Sequence, residues 1–205
     1  MYTTAFSALG LSLVPVVCAW LGAAAWQDLR TRQVSNWLTL APLMCVVAWR
    51  AAQGDWVPLA LLVVIVVIDP LPQGARVGMM VAAAMIVVKL NPASSVVALT
   101  WAVVYSLTQL NVLGEADAKI AMTLVALFPT PTMACCMAGA VFAVSLGVTV
   151  WKHRLMTPVV IGSRMRDVLA LRFPTHAEME SGGFPVAGAF GLAFVAYLAY
   201  GMATR

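Results

Sequence analysis

The sequence predicts an all-α membrane protein: a polytopic bundle of six to eight transmembrane helices with its N-terminus outside. Three observations predict it. The 205 residues are 62% hydrophobic and only 10% charged, against roughly 25% charged in soluble domains. Mean hydropathy is +0.93, which leaves too little polar material for a water-facing surface. The apolar residues fall in long runs broken by short polar joints, whereas a transmembrane barrel shows alternating strands of about ten residues.

The elements follow in order. Eight apolar stretches stand out, at 5–27, 37–53, 56–70, 75–90, 94–113, 117–131, 132–151 and 185–203. The first runs from Ala5 to Trp26. It matches the roughly 20 residues needed to span a bilayer, and no Lys or Arg precedes it, so it reads as a retained helix rather than a signal peptide. The third and fourth are short and bounded by proline or charge. They are either two spans or one re-entrant unit, which sets the range of six to eight. The last carries "GGFPVAGAFGLAF", whose small residues let helices pack closely. The whole chain, 1–205, reads as one domain, with a basic loop at 152–184.

Loop charges set the orientation. Arg30, Arg32, Arg76, Lys119, Lys152, Arg154, Arg164, Arg166 and Arg172 fall on one side of the eight-span arrangement. Arg50, Lys89 and Arg205 fall on the other. The richer side is cytoplasmic by the positive-inside rule. The 152–184 loop then serves as an orientation anchor near anionic lipid, or as a contact surface for substrate.

Cys18, Cys45, Cys135 and Cys136 lie inside apolar runs with no CxxC pair. They read as small buried hydrophobes, not zinc ligands. His153 and His176 are far apart and read as surface residues. No metal, organic cofactor or nucleic-acid partner is expected.

The chemistry rests on two aspartates. Asp28 opens "DLRTRQVSNWLT" at the end of the first run, and Asp117 lies in "GEADAK" at the start of the sixth. Counting spans puts both at the cytoplasmic end. Ionisable groups at a membrane boundary are costly and often functional. Two carboxylates brought close do not both ionise easily, so one keeps a proton while the other accepts one from water. That pair suits acid–base hydrolysis of a peptide without a covalent intermediate. The plainer alternative is two ordinary helix-end acids: Asp28 pairing with Arg32 at i, i+4, and Asp117 capping a helix. Asp55 sits in a turn with Gly54, Glu178 and Glu180 in the polar loop, and Asp69 at the end of an apolar run.

"DLRTRQVSNWLT" resembles the first aspartate motif of the type IV prepilin peptidases, in which Asp is followed by basic residues, an aliphatic residue and then Pro-Asn-x-Leu-Thr. "GEADAK" resembles the second motif of these GxGD membrane aspartic proteases, Gly-x-Gly-Asp-x-Lys. "GGFPVAGAFG" resembles their C-terminal helix start. The resemblance implies that Asp28 and Asp117 are the catalytic pair. Gly114 would shape the turn before Asp117, and Lys119 would sit beside the site. Arg32 and Asn36 belong to the motif without an assigned role. The implied substrates are type IV pilin-like precursors whose basic leaders are cut at the cytoplasmic face, with the lipid bilayer as the other partner. Two positions depart from the pattern. Ser35 replaces the usual proline, and Ala116 replaces the second glycine. The cysteine domain of longer members is absent, so the chain looks like the small peptidases of tight-adherence or archaellin-type systems. The rival readings are a non-catalytic pilus-assembly component and a small proton-coupled transporter.

Overall fold

The computed structural model describes residues 8–31, 34–110, 112–153, 166 and 186–203. Within them lie eight α-helices and one 3₁₀ turn. The helices are α1 (Ala8–Thr31), α2 (Asn36–Ala52), α3 (Val57–Ile68), α4 (Gln73–Leu90), α5 (Ser95–Gln109), α6 (Glu115–Leu127), α7 (Pro131–His153) and α8 (Val186–Ala203). Each covers one predicted stretch. Arg32 and most of the 152–184 loop lie outside the described residues.

Local sequence explains the breaks. Ser35 caps α2, its hydroxyl accepting a hydrogen bond from Leu38 N at 3.4 Å. A serine in place of proline therefore gives this helix a side-chain cap. Gly54 turns the chain between α2 and α3 at φ +85°, a left-handed backbone that favours glycine. Pro58 lies in the first turn of α3, where its missing N–H has no partner to lose. The short link Asp69–Pro72 then separates α3 and α4 into distinct helices.

The helix α6 forms the centre. Ala118 and every residue from Ile120 to Ala126 are buried, the pattern of a helix surrounded by others. It packs against α2 and α5 and also contacts α7 and α8. Trp101 of α5 is fully buried and donates its indole N–H to Met122 O at 3.1 Å. Phe128 packs on Phe194 and Tyr197 of α8 with ring centroids 5.4 and 5.5 Å apart. The apolar side chains Val63, Val66, Val67, Met79, Met85, Ile86, Val103, Leu192 and Val195 face outward.

Among the described residues, Gln73–Leu90 is the one helix long and apolar enough to cross a membrane, with 18 residues and a hydropathy of 1.4. The helix α3 has 12 residues, or about 18 Å, well short of a hydrocarbon core of about 30 Å. The cysteines depart from expectation. Cys18, Cys45 and Cys135 are exposed, and Cys136 is half-buried. A helix apolar all round gives no sign of which face turns inward.

Candidate active site

The ends of the helices define two polar regions. Lys119 near the start of α6 reaches Asn36 at the start of α2, so these helices begin at one end of the bundle. Asp28 lies near the close of α1. This end therefore gathers the C-terminal turns of α1 and the N-terminal turns of α2 and α6.

Two contacts fix α1 against the start of α2 here, and a third closes the last turn of α1. Trp20 donates to Leu38 O at 2.7 Å. Ser35 N donates to Gln27 Oε1 at 3.2 Å. Thr31 Oγ1 donates to Gln27 O at 2.9 Å. Gln27 thus ties the first turn of α2 to the residue next to Asp28. It was not singled out from the sequence, where a glutamine beside a motif carries no signal.

The carboxylates of Asp28 and Asp117 lie close enough for the charge of one to act on the other. Asp28 Oδ2 is buried, and Asp117 is half-buried in the first turn of α6. Two acids so placed repel when both are ionised, and sharing one proton relieves the repulsion. Asp117 is not the cap of α6. Gly114 holds that position with extended backbone, φ −66° and ψ 150°. The carboxylate of Asp117 folds back over Gly114, where a Cβ would stand 3.0 Å from Oδ2. Any side chain at 114 therefore crowds the carboxylate in this position, whereas the dihedral angles of Gly114 suit any residue.

Ala116 lies within α6 in right-handed helical backbone. No positive φ is needed there, so alanine costs no backbone strain. Lys119 forms an ion pair with Glu115 at 2.7 Å and donates to Asn36 Oδ1 at 3.3 Å. It joins α6 to α2 two residues beyond Asp117. The Glu115–Lys119 spacing of i, i+4, acid first, is the favourable order on a helix, and it was legible in "GEADAK". Arg30 stacks over Trp26 with its guanidinium 4.4 Å from the ring centroid. Trp26 and Trp37 are exposed beside the site, Trp37 at 84%, as in the aromatic belts of membrane interfaces.

The structure thus brings together Asp28, Asn36, Gly114, Ala116, Asp117 and Lys119. Asp69 stands apart. It is the C-cap of α3 and forms an ion pair with Arg76 at 3.4 Å. Asp55 lies at the opposite end, paired with Arg50.

A family model for the type IV leader peptidase family matches residues 15–151. The match takes in both aspartate motifs and seven of the eight helices, the first in part and the seventh nearly whole. The chain belongs to the type IV leader peptidase family. No curated protein and no solved structure matches it.

Proposed function

We propose that this chain is a membrane-embedded aspartic endopeptidase that removes basic leader peptides from type IV prepilin-like precursors. The observation that carries the reading is the Asp28–Asp117 pair, two carboxylates from distant parts of a family member that sense one another's charge. In this reading the helices cross the cytoplasmic membrane several times and the site faces the cytoplasm. The outward-facing apolar side chains support a lipid environment. The loop charges support the orientation.

The chemistry follows from the pair. The ionised carboxylate takes a proton from water, and the resulting hydroxide attacks the scissile carbonyl. The protonated carboxyl donates to the carbonyl oxygen as the tetrahedral intermediate forms. As that intermediate collapses the C–N bond breaks, the carboxyl that took the water proton passes it to the leaving amine, and a hydroxyl of the intermediate returns its proton to the other carboxylate as the carbonyl re-forms. Between them, the two groups end the cycle with the one proton they began with. Gly114 keeps Asp117 in place, and Lys119 fixes the start of α6 against α2. The expected experiment is leader cleavage in membranes holding a pilin precursor. Asp28→Asn and Asp117→Asn each abolish processing at normal protein levels. Ordinary processing by either variant overturns the reading.

A further inference from the structure

A second polar group lies at the same end of the bundle, on α4 and α5. Gln73, the first residue of α4, donates its side-chain N–H to Gln109 O, the last backbone carbonyl of α5. Arg76, one turn further, donates to Gln109 Oε1 at 3.4 Å through Nη1. Its Nε donates to Leu71 O at 2.6 Å, and its Nη1 pairs with Asp69 at 3.4 Å. The guanidinium therefore joins the α3–α4 link to the end of α5. Tyr105 is buried one turn before Gln109 and within electrostatic reach of Arg76 and Asp69. Residues four apart share a helix face, so this face of α5 turns toward Arg76.

Gln109 is also where the chain leaves α5 for the turn that carries Asp117. Val112 N and Leu113 N both donate to Leu107 O, at 2.8 and 3.2 Å. Leu107 O thus holds the two residues that lead directly into Gly114, the cap of α6.

We infer that Arg76 and Gln109 are positioning residues for Asp117, with Arg76 acting through Gln109 at the end of α5, whose Leu107 O holds Val112 and Leu113 ahead of α6, to set the depth of α6 against α1. The inference rests on the catalytic reading of Asp28 and Asp117. Its physical basis is steep: a misplacement of about 1 Å in a reacting group costs on the order of a hundredfold in rate. Arg76 uses its planar fork here. Nε and Nη1 bind different partners at once, which a lysine cannot copy.

The test is steady-state cleavage of a precursor peptide by the detergent-solubilised full chain, with thermal unfolding measured on the same samples. The expected result is a fall in kcat of about fivefold for Arg76→Ala and for Gln109→Ala with KM unchanged, the size expected of one typical lost hydrogen bond. The double variant falls no further than the worse single, because both remove one link. Gln109→Glu keeps the wild-type rate, since a carboxylate accepts from Arg76 equally well. Arg50→Ala, at the other end of the bundle, leaves kcat unchanged. Losses that multiply in the double variant overturn the inference, as does a rise in KM alone. So does a fall in unfolding temperature at constant kcat, which marks a structural staple. If Arg76→Ala does not fold, Arg76→Lys replaces it under the same criteria. Asp28→Asn runs alongside: cleavage that survives it sinks the catalytic reading, whereas an Asp28-dependent enzyme indifferent to Arg76 sinks only the positioning role.

Discussion

Two acids at opposite ends of the bundle, Asp55 and Asp117, are held in opposite ways. At one end Asp55 is matched completely. It pairs with Arg50, its Oδ1 accepts from Val57 N at 3.2 Å, and Ser94 donates to it at 3.4 Å. Asn91 in turn donates to Ser94 at 3.2 Å. This network locks the α2–α3 turn to the α4–α5 turn. At the other end Asp117 has no ion pair among the described residues, and the charge of a second acid, Asp28, acts on it. The nearby Lys119 is turned to Glu115 and Asn36 instead. A matched acid holds a structure together, whereas two acids set against each other hold a proton to exchange.

That contrast can be broken or sharpened by substitution. The largest effect falls on Ala116→Leu, which forces a branched side chain beside Asp117 in a packed turn. Cleavage is lost, and full activity in this variant contradicts the packing. Gly114→Ala comes next. Its Cβ meets Asp117 Oδ2 at 3.0 Å, so the carboxylate swings away and the rate falls about tenfold or more, given that a small misplacement of a reacting group is costly. An unchanged kcat shows that the carboxylate is not held there. Lys119→Met removes one partly exposed link worth roughly 1 kcal/mol, about a fivefold loss of activity. At the matched end, Arg50→Ala lowers stability by roughly 1–3 kcal/mol by leaving Asp55 short of a partner, with kcat unchanged. Thermal unfolding beside the cleavage assay separates the two effects. The smallest change is Ala116→Gly. The position is helical, so restoring the family glycine only adds backbone freedom, and activity stays level or drops slightly.

Much of this was legible in the sequence. Proline, glycine and charge interrupt the apolar runs at "GDWVP", "DPLPQG" and "NPASS", and the helices begin and end near those points. The position of the two acids at one end followed from counting runs. Other features had no such signal. Gln27, Gln73 and Gln109 are neutral residues whose roles come from tertiary contacts. The exposure of three cysteines was hidden because inward and outward faces are equally apolar. Asp117 reads as a cap from its place before an apolar run, yet α6 begins two residues earlier, at Glu115. The close approach at Gly114 depends on how a side chain folds back, which spacing does not encode.

The central claim is that Asp28 and Asp117 act as one acid–base unit. Precursor cleavage by Asp28→Asn, Asp117→Asn and the double variant, measured side by side with Asp55→Asn, tests it most directly. Each single variant should lose a factor on the order of 10² to 10⁴, the worth of a positioned acid or base. The double should lose no more than the worse single, because residues that act as a unit do not contribute additively. Asp55→Asn should cleave at the ordinary rate. A double variant whose loss is the product of the two singles would contradict the account, as would a single variant that still processes its precursor normally.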